Sequence, residues 1–296
     1  MRLPCSGTDS SFYFPVLYYP HETPCSAGWH SVFRVWVRLR REGKGMTATS
    51  FLIVCPMLFL AGFVDSIAGG GGLISLPAYL FAGLPIHTAI ATNKFSSAFG
   101  TALATMRFIR EKLVSLRLAL PSVLCGFAGS AVGARLSLLV PETVLKYLLL
   151  AVLPLAAFCV LNKRLFKDNR SDGLLLTRRT FIIVMLSALI IGMYDGLYGP
   201  GTGTFLIIAF TAAARMTIAR ANAHTKVINL STNIAALAVF LLHRQVLIPL
   251  GIAAAASNML GNYIGSGLVL TKGSRIVKPL IIIMLLLLFV KIIAGF

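Results

Sequence analysis

Acidic side chains are nearly missing from this chain: nine Asp and Glu stand among 296 residues, against 27 Lys and Arg. Charged residues of both signs make up only 12% of the chain while 57% is hydrophobic, where a soluble domain carries roughly a quarter charged residues. Mean hydropathy is +0.85. A water-soluble globular domain is thereby excluded, and an all-α polytopic membrane protein is expected. Strand alternation is absent too, and lipid cannot satisfy free backbone groups, so the apolar blocks must be helices. Without alternating strands there is no Rossmann unit, and neither glycine run continues to Gly-Lys-Ser/Thr, so no P-loop is present. Five histidines and five cysteines are scattered without metal-ligand or CxxC spacing, and no Glu lies in an apolar core. No metal, cofactor or enzyme activity is expected from such a set. Cys55, Cys125 and Cys159 lie in apolar blocks and read as small core residues.

What the chain does have, it has twice. Residues 62–77 read GFVDSIAGGGGLISLP and residues 192–207 read GMYDGLYGPGTGTFLI. Asp65 returns 130 residues on as Asp195; Lys94, Lys112, Gly129, Gly133 and Lys146 return 132 residues on as Lys226, Arg244, Gly261, Gly265 and Lys278. A repeat of this length in so apolar a chain is the mark of a transporter whose site lies where two half-bundles meet.

Apolar blocks long enough to span a bilayer run over 50–84, 88–109, 118–140, 143–162, 180–214, 221–242, 246–270 and 279–296, the first and fifth broken by glycines. Counting each block as one crossing predicts about eight transmembrane helices in two four-helix repeats, each with a Gly-interrupted first segment. The net charge of +18 does not imply nucleic acid, because the basic residues sit between the apolar blocks, as the positive-inside rule requires. Basic clusters at 34–44, 107–117 and 163–179, each two blocks apart, predict that these segments all face the cytoplasm. Four crossings per half then make the repeats parallel, with the 215–219 segment outside. Lys272, Arg275 and Lys278 go against this scheme, which places them outside. The expected organisation is a basic N-terminal tail over 1–45, a first repeat over 46–162, a cytoplasmic basic loop over 163–179 and a second repeat over 180–296. The tail holds both tryptophans and no apolar span. Translation from Met46 is an equal reading of it, since the first span starts directly afterwards.

The glycine runs give backbone able to leave helical geometry and to present N–H groups at the start of a short following helix. Two such starts aimed at a common cavity would bind an anion, with Gly70, Gly71 and Gly72 in the first half and Gly201, Gly203 and Thr204 in the second. The alternative is close helix packing, which is also the main reading of the GxxxG pairs Gly129/Gly133 and Gly261/Gly265. Asp65 and Asp195 are two of only six acidic residues past position 45. Each is followed by a lysine, in Thr92-Asn93-Lys94 and in His224-Thr225-Lys226. A lone charge at membrane depth costs at least a few kcal/mol, so each Asp needs a cation or a proton. Two structural ion pairs satisfy that need; so does a device in which protonating an Asp frees a lysine to hold an anion. His224 is either a proton relay or a satisfied polar residue. Asn93 and Thr225, together with Ser96, Ser97, Thr101, Asn229, Ser231, Thr232 and Asn233 nearby, are candidates for hydrogen bonds to oxyanion oxygens or to other helices.

The paired GFVDSIAGGGG and GMYDGLYGPGTG runs, with ATNK and AHTK after them and GNYIGSGLVLTKG over Gly261 to Gly273, resemble the sulfite exporter TauE/SafE family, YfcA-like subgroup. The likeness covers residues 46–296. It implies a multi-pass permease of the bacterial inner membrane whose cargo is a small sulfur-containing anion such as sulfite or a sulfonate. The partners expected are that anion and the lipid bilayer, and no nucleic acid. Proton coupling follows from the paired Asp and Lys residues, not from the resemblance. An anion channel and a non-transporting membrane subunit of a sulfur-metabolism complex remain alternatives on sequence.

Overall fold

In the computed structural model of the protein, the residues described are 48–145, 147–148, 151–152 and 177–272. The tail 1–45, most of the 163–179 loop and the apolar block 279–296 lie outside them. Helix α1 (Ala48–Ala68) is followed by α2 (Gly72–Phe81), α3 (Ile86–Arg110) and α4 (Leu116–Leu139). The second half repeats the order as α5 (Arg178–Leu197), α6 (Thr202–Ile208) with a π-helical turn at Ala209–Ala213, α7 (Ile218–Leu242) and α8 (Ile248–Lys272). No strand occurs among the described residues. Four of these helices, α1, α4, α5 and α7, are long and apolar enough to cross a membrane by length and composition. The protein is accordingly all-helical and spans the membrane several times.

Local chemistry sets the ends. Thr177 and Thr217 cap α5 and α7 by accepting the N–H of Thr180 and of Arg220. Pro85, with its φ fixed near the helical value, sits just before α3. The turns between helices use left-handed residues at equivalent places: Gly83 (φ 83) and Arg215 (φ 55) precede α3 and α7, and Lys112 (φ 55) and Arg244 (φ 55) follow them.

Helix directions follow from close approaches at glycine. Gly62 of α1 meets Asn258 and Asn262 of α8, and Gly261 and Gly265 of α8 meet Phe59 and Phe63 of α1. The contacts ascend together, so α1 and α8 run parallel. By the same test α3 runs parallel to α8, through Phe95 with Gly251, Gly100 with Asn258, and Arg107 with Gly267. In the other half α4 runs parallel to α5, through Gly129 with Leu189, Gly133 with Met193 and Leu197, and Cys125 with Met185. α3 and α7 are antiparallel: Thr92, near the start of α3, accepts from Leu247 N beyond the end of α7 at 3.1 Å. His224, near the start of α7, accepts through Nε2 from Ser115 N beyond the end of α3 at 3.3 Å. A tight turn reverses the chain between α3 and α4, so α4 and α5 both oppose α1.

Equivalent helices of the two halves therefore run in opposite directions, and the parallel repeat expected from four crossings does not hold. The cause is the interrupted first segment. A methyl group on Gly71 would fall 2.7 Å from Ala61 O, so after Ala68 the chain doubles back along α1 instead of completing the crossing. The halves are also interlocked: α1 packs on α8 and α5 on α4, each first helix on the last described helix of the other half. GxxxG spacing is what allows it, since backbone meets backbone at Gly129, Gly133, Gly261 and Gly265.

Two apolar clusters lie at the two ends. One gathers Phe108, Leu118, Val184, Phe210, Met216 and Ile218; the other gathers Val54, Tyr79, Ile86, Ala134, Phe240 and Leu250. The 107–117 and 215–219 segments thus share an end, which corrects the expectation that 215–219 lies opposite.

Candidate functional site

The two glycine breaks meet between these clusters. Gly69 (φ 74) ends α1, its N–H bonded to Asp65 O at 2.8 Å, and its backbone lies directly against Gly203 at the start of α6. Gly72 approaches Pro200 in the same way, and Thr204 Oγ1 donates to Ala68 O at 3.2 Å. On the other side Tyr194 donates its hydroxyl to Pro200 O at 2.6 Å, fixing the break at Gly199 (φ 99) and Gly201 (φ 84). Only glycine allows this approach: at Gly203 any side chain would collide with the Gly69 backbone.

The acidic residues stand one turn before each break and find their lysines in the opposite repeat. Lys94 Nζ lies 2.7 Å from Asp195 Oδ2, and Lys226 Nζ lies 2.7 Å from Asp65 Oδ2. Each Asp sits on the first helix of one half and each Lys on the third described helix of the other, so the pairs stitch the repeats together. Asp65 Oδ1 also accepts weakly from Gly71 N at 3.4 Å. Such buried pairs are costly to desolvate, and removing one partner leaves an uncompensated charge.

A small polar cavity opens beside the pairs. Asp65, Asp195, Lys94, Asn93, Gly72 and Gly203 of the expected set line it, together with Ser97, Thr101, Asn229 and Asn233, whose role had stayed open. Asn93, Ser97 and Thr101 follow one another at helical spacing on α3; Asn229 and Asn233 are the repeat equivalents of the last two on α7. Gly69, Gly199 and Thr202 complete the wall. Gly70, Gly71, Gly201, Thr204, Thr225 and Lys226 are not part of this lining. Lys226 stands behind Asp65, and Thr204 serves the contact between the breaks. His224 is directed to Ser115 N, a loop-fastening bond that Thr92 reproduces in the other half.

One residue was not singled out by sequence reasoning. Asn222, buried on α7, donates through Nδ2 to Ser66 O at 2.9 Å and Ile67 O at 3.3 Å, the carbonyls just after Asp65. Its repeat equivalent is Ile90, so the repeat pattern could not flag it. A buried Asn one turn before Lys226 was the available signal.

A family model described as "Sulfite exporter TauE/SafE" matches residues 54–292. A probable membrane transporter protein, ORF9, of Sinorhizobium is 38% identical over 247 residues, covering 83% of this chain and 92% of that protein. A probable membrane transporter protein, YfcA, of Escherichia coli K12 is 36% identical over 248 residues, covering 80% and 90%. A probable membrane transporter protein of Haemophilus influenzae is 33% identical over 236 residues, covering 79% and 91%. No solved structure matches the chain.

Proposed function

Because the chain belongs to the sulfite exporter TauE/SafE family, a family of membrane transporters and not of enzymes, we propose that it is a proton-coupled permease for sulfite or a small sulfonate. The observation that carries this reading is the placement of two reciprocal Asp–Lys pairs beside a polar cavity where the two breaks touch. With both pairs ionised the lysine charges are cancelled, and the cavity has no net attraction for an anion. Protonation of an aspartate releases its lysine, which then faces the anion; cargo and proton move together. Hydroxyl and amide groups at Ser97, Thr101, Asn229 and Asn233 match oxyanion oxygens.

Opposed repeats also supply the movement. Two inverted halves of like sequence can exchange conformations, and that exchange opens a central site to alternate sides. Each half reads as a re-entrant first segment followed by crossings at α3 and α4 in the first half and at α7 and α8 in the second; α4 finishes at the end opposite the one where α5 begins. The repeats then run over 46–162 and 180–296. On this reading the end holding Arg107, Arg110, Lys112, Arg117, Arg178, Arg179, Arg215 and the α8 terminus at Lys272 is cytoplasmic. The opposite end has Arg135 and Arg244 among its described residues. The basic cluster at Lys272, discordant under parallel repeats, becomes concordant, but α1 begins, around Val54, at the opposite end, which goes against the expectation that the segment before it shares a face with 107–117.

The test is uptake into proteoliposomes of sulfite, sulfoacetate, taurine, sulfate and acetate, each with and without an imposed pH gradient. Saturable uptake of a sulfur-containing anion, stimulated by a gradient that drives protons the same way, is expected. Uptake of none of the anions, or currents far above carrier turnover, would refute the permease reading.

A further inference from the structure

The sequence presents the two ion pairs as copies, but their surroundings differ. Lys94 lines the cavity, whereas Lys226 does not. Lys226 has no exposed side-chain surface, and the Asp65 it holds is the more open carboxylate, 16% exposed against 6% for Asp195. Lys94 packs on Gly199 at the second break, where a methyl group would stand 2.9 Å from Nζ and 3.2 Å from Asp195 Oδ1. The fixing bonds are unequal as well. Asn222 ties down the turn that carries Asp65, while its equivalent Ile90 has no polar group to do so for Asp195.

We propose that the two pairs divide the work: Lys94, released from Asp195, is the cation that meets the substrate anion, and Lys226 is a buried counter-ion that holds Asp65 in place at the cavity wall. The site is thus one-sided although the fold is twofold. A single mobile pair confines the charge change to the break at Gly199, where Pro200 and Thr202 replace the plain glycines of the first half. The inference deepens the permease reading and rests on it for the identity of the ligand, but the difference in access between the lysines stands on the geometry alone.

The experiment replaces the five native cysteines by serine and compares K94C with D195N against K226C with D65N, so that neither variant leaves a lone buried charge. Reaction with the anionic reagent 2-sulfonatoethyl methanethiosulfonate is followed in detergent, with N229C as the cavity control. Position 94 is expected to react at least about tenfold faster than position 226, as an accessible site does relative to a protected one. Equal rates, or faster reaction at 226, would overturn the proposal. Where a cysteine variant does not accumulate, K94R and K226R decide instead. Arginine beside the cavity should insert and shift the apparent KM for uptake, while arginine at the enclosed position should lower the yield of folded protein; the reverse pattern refutes the division. If the wild-type protein takes up none of the anions but the rates still differ, the permease reading fails and the inequality of the lysines survives.

Discussion

The first glycine break, Gly69 to Gly72, and the second, Gly199 to Gly203, occupy equivalent places and reverse the chain in equivalent ways, yet they are held by different bonds. The first is fastened from outside its own half, by Asn222 on the Ser66 and Ile67 carbonyls and by Thr204 on Ala68. The second is fastened by its own helix, through Tyr194 on Pro200 and Thr202 Oγ1 on Gly199 O at 2.7 Å. A duplicated fold thus keeps its backbone plan while its two copies diverge in the side chains that restrain it. The two copies differ in which half supplies the restraint.

The largest effect in this comparison belongs to the contact between the breaks. Gly203→Val places a branched side chain on the Gly69 backbone and should abolish folded protein, measured as monodisperse yield after detergent extraction. Gly83→Ala, at positive φ (83) but with nothing within 4 Å of an added methyl, should cost only about 1 kcal/mol. If the two lose yield equally, the breaks do not meet.

Next come the ion pairs. Asp65→Asn or Lys226→Gln alone should destabilise by about 3–5 kcal/mol, with much of the loss recovered in the double variant. A thermal double-mutant cycle should show strong coupling for 65 with 226 and for 195 with 94. Coupling confined to 65 with 94, within one repeat, would break the interlocked arrangement.

That cross-pairing was only half legible beforehand. The acidic and basic partners could be read from the repeat, because charges are so few in the apolar blocks that Asp65, Asp195, Lys94 and Lys226 stand out. Which Asp meets which Lys could not, since periodicity orders residues along a chain and says nothing about which copy packs on which. The direction of the repeats was lost for a related reason. A hydropathy count treats 50–84 as one span, and the reversal at Gly71 against Ala61 is a tertiary contact between residues of equally apolar character. Asn222 was hidden because the reading relied on what returns 132 residues on, and there Ile90 stands in its place.

A smaller effect should follow from Asn222→Ala, which deprives the Ser66 and Ile67 carbonyls of their donor and should cost about 1–3 kcal/mol by thermal unfolding. The smallest expected change is Arg107→Ala. Arg107 stacks 4.8 Å from the Tyr263 ring centre and donates to Tyr263 O at 2.7 Å, and its loss should cost about 0.5–1 kcal/mol at so exposed a site. Its repeat equivalent is Val239, so this contact too belongs to one half only.

Opposed, interlocked repeats are the central claim, and sided labelling of single cysteines tests them most directly. Lys112→Cys, Arg215→Cys and Glu142→Cys, each in a background without native cysteines, would be treated with an impermeant maleimide on intact cells and again after the cells are opened. All three positions are exposed in the structure. Position 142 should label from outside, while 112 and 215 should be protected together until the cytoplasmic face is reached. Labelling of 112 and 215 from opposite sides would contradict the account and restore parallel repeats.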